Sequence, residues 1–139
     1  MPQQTFWHVH VVDGESRQTR RALAGFETES MGGDADPQNN LHMDGARHVI
    51  VAVMPAGMEG EWHENPAPQW IVPLSGRWWV ETMDGTRVEM GPGEISFGGD
   101  QGTTDGRGHR SGVVGAADCH LLIVQFDTVP QAVRDAAPA

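Results

Sequence analysis

Apolar and polar residues alternate over residues 6–12 (Phe-Trp-His-Val-His-Val-Val), which predicts a strand with His8 and His10 on one face and Trp7, Val9 and Val11 on the other. From Asp13 to Asp44 the rhythm fades. This stretch is polar, holds Met31-Gly-Gly-Asp-Ala-Asp-Pro and Asn39-Asn40, and predicts loop with at most one weak helical turn over 16–24. From Arg47 onward alternation returns, with strands expected over 47–54, 69–74, 76–83, 86–90, 94–98, 109–114 and 120–127. Pro55-Ala-Gly57, Asp84-Gly85 and Gly91-Pro-Gly93 supply turns between them, and one short helix is expected after Pro130. Many short strands without a long helix-period pattern predict an all-β sandwich or jelly roll whose inner face can enclose a small ligand.

Composition narrows this picture. A chain of 139 residues has room for one core, so a single domain is expected over 1–139. A formal charge of −10 argues against a nucleic-acid surface, which needs a basic stripe to displace counterions. All nine basic residues are arginine and tyrosine is absent, so neither a Schiff-base lysine nor a phenolic acid is on offer. Cys119, the one cysteine, adjoins an apolar run and reads as a buried thiol of a reducing compartment. Without a signal-like N-terminus or an 18-residue apolar stretch, a soluble cytoplasmic protein away from membranes is expected.

Gly57-x5-His63-x-Asn65-x3-Gln69-x6-Gly76 resembles the first cupin motif, Gly-x5-His-x-His-x3,4-Glu-x6-Gly. Downstream, Gly93-Glu94 followed by an apolar pair and then Gly106-x-x-His109 resemble the second motif and its closing Gly-x-x-His. His63-x2-Pro66-x2-Gln69 with Gly106-x-Gly108-His109 is also similar to a subgroup of small cupins. The resemblance covers about 47–127, leaving 1–46 as an N-terminal strand and loop and 128–139 as a tail. It implies a cupin-type double-stranded β-helix, a jelly-roll barrel. Asn65 stands where the family has a second histidine, and Gln69 where it has glutamate. The loop before His109 is five residues longer than the family formula, and Thr104 and Val113 replace its proline and asparagine.

The resemblance implies a divalent transition metal (Fe, Mn, Ni, Cu or Zn) held by His63, Gln69 and His109, with Asn65 and Asp100 as further ligands. Neutral amide oxygens bind such a cation weakly, so Asp100, in the lengthened loop, is preferred as the missing anion over Glu64, which strand alternation turns away. His8 and His10 are expected on an exposed edge-strand face. His48, which alternates with Ile50, and Trp62 and Trp78 are candidates to line the cavity. Trp78 and its neighbour Trp79 must face opposite sides, one core and one surface or interface.

Three functions follow. One is a small metal-dependent dioxygenase, isomerase or lyase acting on a small polar or aromatic molecule. The second is a metal-free small-molecule-binding module, which the Glu-to-Gln69 and His-to-Asn65 replacements favour. The last is metal-free acid/base catalysis by a histidine with an oriented carboxylate, such as His63 with Asp100. A homodimer is expected, with the first strand and exposed tryptophans as its surface.

Overall fold

The computed structural model describes residues 2–139 and is mostly β. Its strands are β1 (Gln4–Val12), β2 (Glu15–Leu23), β3 (Glu27–Glu29), β4 (Gln38–Asn40), β5 (Ala46–Met54) and β6 (Gln69–Ser75). They continue with β7 (Arg77–Thr82), β8 (Arg87–Met90), β9 (Ile95–Gly98), β10 (His109–Val114), β11 (Cys119–Phe126) and β12 (Ala137–Pro138). One helical turn, Gln131–Arg134, precedes β12. Among the described residues no helix is long and apolar enough to cross a membrane.

From Ala46 to Phe126 each strand lies within a residue or two of its expected place, whereas β12 was not expected. The N-terminal third differs: β2 is a nine-residue strand, not a loop or helical turn, and β3 pairs with β4 inside the polar stretch. Asp13 (φ 51°) and Gly14 (φ 77°) form a two-residue turn with both residues left-handed, the geometry that folds β1 back onto β2 with Val12 opposite Glu15. β2 escapes a hydrophobicity reading because two of its inward positions are polar. Ser16 Oγ donates to the Gly108 carbonyl at 2.6 Å, and Gln18 Nε2 donates to the Val80 carbonyl at 2.9 Å. Both side chains are buried, so these bonds offset the cost of removing them from water.

The strands do not close into one hydrogen-bonded barrel. Seven form a sheet in the order β12-β2-β1-β9-β6-β11-β5, and three form a second in the order β10-β7-β8. β1 and β9 run parallel; the other neighbours are antiparallel. Val9, Met54, Ile71, Leu121 and Cys119 of the large sheet meet Trp78, Val80, Met90 and Val113 of the small one in the main core. A second cluster (Phe6, Leu23, Trp70, Phe97, Phe126, Val133) lies on the outer face of the large sheet, under the C-terminal segment.

This layout corrects the reading of His8 and His10. Their strand is internal, flanked by β2 and β9, and His8 stacks near Phe6 and Phe97. Burial, reinforced by the charges of His10 and Arg21, lowers the His8 pKa to about 4. Trp78 and Trp79 do face opposite sides, yet both are buried. Trp79 lies across Gly112, where a Cβ would collide with the indole, and is roofed by the Arg87 guanidinium at 4.1 Å.

Candidate functional site

Between the sheets lies a pocket of about 190 Å³, walled by apolar residues including Met54, Ile71, Trp78, Leu121 and Ile123. His63, Asn65, Gln69, His109 and Ser111 supply its polar lining. Gln69 opens β6 and His109 opens β10, so both project from strand starts. His63 comes to His109 by a two-bond backbone bridge: His63 N–H donates to the His109 carbonyl at 2.8 Å, and His109 N–H to the His63 carbonyl at 2.9 Å. Gly108 makes this approach feasible, because its φ of 64° is left-handed and any Cβ there would strike the His63 carbonyl. The two imidazoles end with centroids 4.7 Å apart.

Behind His109 sits Asp100, wholly withdrawn from solvent. Its Oδ1 accepts from the backbone N–H of Asn65 at 3.0 Å and from Asn65 Nδ2 at 2.8 Å, and its Oδ2 lies 2.6 Å from His109 Nδ1. Burial pushes the Asp100 carboxyl up, but the hydrogen bond and charge of His109, then the Asn65 N–H groups, together outweigh it and hold the pKa below the usual carboxylate value. Glu64 faces away from the pocket, as alternation requires, and holds the loop carrying Asp100. Its Oε2 accepts from Thr103 N–H at 2.8 Å and Thr103 Oγ1 at 2.6 Å.

An ionised carboxylate can only accept, and that sets the polarity of every amide beyond it. Asn65 must turn Nδ2 to Asp100, leaving Oδ1 to accept from Gln69 Nε2 at 2.7 Å. Gln69 Oε1 then accepts from Gln125 Nε2 at 2.9 Å. Donation thus runs from Gln125 to Gln69 to Asn65 to Asp100, and His109 donates into Asp100 from the other side. The same reasoning assigns the imidazole tautomers. His109 Nδ1–H donates to Asp100, and His63 Nδ1–H donates to the Glu61 carbonyl at 2.8 Å, so the neutral form of each ring carries its lone pair on Nε2, which has no partner among the described residues.

A metal on His63, His109 and Gln69 would share the Gln69 Oε1 with Gln125 Nε2, while both Asp100 oxygens are turned to Asn65 and His109 and away from such a position. Among the described residues no three His, Cys, Asp or Glu side chains group as a metal site. What has no hydrogen-bond partner among the described residues is a pair of imidazole Nε2 atoms.

The structure therefore brings His63, Asn65, Gln69, Asp100, His109 and Trp78 together, and leaves two expected lining residues out. His48 shares the strand face of Ile50 but is exposed, in a separate recess with Arg47 and Gln125. Trp62 is stacked against the Arg107 guanidinium at 4.3 Å rather than lining the pocket. Gln125 was missed by the sequence reading. Its signal was a lone amide on the strand face of Leu121 and Ile123. No protein-family model matches the chain, and no curated protein matches it.

Proposed function

We propose that the chain is a cupin-type jelly roll that binds a small uncharged molecule between its sheets and moves a proton on it without a metal. The Asp100–His109 pair carries this reading. A buried carboxylate holding Nδ1–H orients the ring, presents Nε2 as a base, and stabilises the imidazolium formed when Nε2 takes a proton. His63 offers a second Nε2 on the same pocket. Among the described residues no arginine, aspartate or glutamate lines the cavity, and its apolar wall suits a compact, weakly polar molecule.

The test is a set of small ketones, lactones and enols incubated with the protein and a chelator in deuterated water. Deuterium entering a substrate carbon, and falling at least a hundredfold in His109→Ala, supports proton transfer. Binding without exchange would leave a metal-free binding module. Near-stoichiometric transition metal in protein purified without added metal would overturn the metal-free reading in favour of a metalloenzyme.

A further inference from the structure

Of the six exposed large hydrophobic residues among those described, four lie on the outer face of β5, β11 and β6. At one end of this face the chain shields its own aromatic residues, with Trp70 and Phe126 packed under Met43 and Val133. At the other end no described residue does so: Val49 is 60% exposed, Val51 71%, Val53 51% and Leu74 51%. Val72, Leu122 and Val124 continue the same face through the pairings Val51↔Leu122, Val49↔Val124 and Leu122↔Val72. β5 is also a nine-residue edge strand with no partner on its far side among the described residues. Natural sheets normally blunt such an edge with lysine, proline or inward charges, and β5 has none of these at Val49, Val51 and Val53.

We infer that this face is the interface of a two-fold homodimer, with the outer faces of β5, β11 and β6 packed against each other. Two observations select a second copy of the chain as the occupant. The first is charge. The chain carries 19 acidic residues, yet β5, β6 and β11 contain none, so this face is where two molecules of net charge −10 can meet without like-charge repulsion. At the rim, Asp127 is engaged by Arg47 at 3.3 Å. The second is area. The four most exposed side chains leave roughly 400 Å² of apolar surface in water, about half of what one partner of a stable interface buries, and the flanking valines and leucine add to it. A two-fold axis sets the same aliphatic face of each copy against the other, as in the face-to-face packing of two sheets.

Sedimentation equilibrium at tens of micromolar protein tests this. The wild type is expected at about 30 kDa, twice the 15.1 kDa of the chain, and unchanged in 1 M sodium chloride because the contact is apolar. Val51→Asp is expected at the monomer mass with its near-ultraviolet circular dichroism retained. Should Val51→Asp fail to fold, the milder double variant Val49→Ser/Val53→Ser carries the test, with at least a tenfold weaker dimer expected. A monomeric wild type, or a dimer whose affinity neither variant changes, would overturn the proposal.

Discussion

Asp100 and His109 are both buried and share a 2.6 Å contact between Oδ2 and Nδ1, and the side-chain amides of Asn65, Gln69 and Gln125 take their orientation from the Asp100 carboxylate. Replacing Asp100 with asparagine should therefore cost more than one hydrogen bond. The new amide cannot accept from Asn65 N–H, Asn65 Nδ2–H and His109 Nδ1–H at once, so a donor is set against a donor in a buried site. The expected loss is about 2–4 kcal/mol in urea unfolding. Nitrogen-15 spectra should show His109 moving toward the Nε2–H tautomer. An unchanged tautomer would refute the dyad.

Gln69→Glu should change what the pocket binds. Gln69 Nε2 donates to Asn65 Oδ1, and a carboxylate there has no proton to give, so a loss of about 1–2 kcal/mol is expected. In exchange, His63, His109 and the new carboxylate form a two-His, one-carboxylate set. Thermal unfolding with added nickel or cobalt should then rise for the variant and stay put for the wild type. A wild type that responds as strongly would show that the amides do yield to a metal.

Two glycines should resist the smallest substitution. A Cβ on Gly98 would strike the Asn65 side-chain amide, and one on Gly108 would strike the His63 carbonyl. Gly108→Ala adds the strain of a left-handed φ and should destabilise by roughly 2–4 kcal/mol. Gly98→Ala should cost less, since the amide can shift, but it should break the Asn65–Asp100 bond and lower ligand affinity. Melting temperatures equal to wild type would contradict the packing described.

Stability should fall as the medium is acidified. His8 has a pKa of about 4 when folded and near 6.5 when unfolded, so between those values the unfolded chain binds the extra proton. Its contribution is complete above pH 6.5 and is lost as pH falls toward 4. Asp100, held below the ordinary carboxylate value, adds a second loss at lower pH. His8→Phe, which sets a third ring beside Phe6 and Phe97, should flatten the first of these steps in denaturation curves taken from pH 7 to 4.5. A slope equal to wild type would place the proton uptake elsewhere.

Much of the strand framework was legible from Arg47 onward because a two-residue period, broken by glycine and proline, is a local property of the chain. The spacing of His63, Gln69 and His109 was legible for the same reason. β2 was not, since its buried Ser16 and Gln18 are satisfied by the Gly108 and Val80 carbonyls, partners that local alternation cannot reveal. Asp13-Gly14 was the signal available there, a hairpin dipeptide that outranked the polarity of the residues after it.

By itself, the sequence determined an all-β chain, its turns, and the set of histidines, amides and carboxylates able to act. Tertiary structure decided what each of them does. Asn65 meets Asp100 across 35 residues of chain, and Gln69 meets Gln125 across 56. Whether an amide oxygen is free, which imidazole nitrogen keeps its lone pair, and which valines stay in water all depend on such distant partners. Alternation says that two faces exist; only the packing of one sheet on another says which face is buried and what it touches.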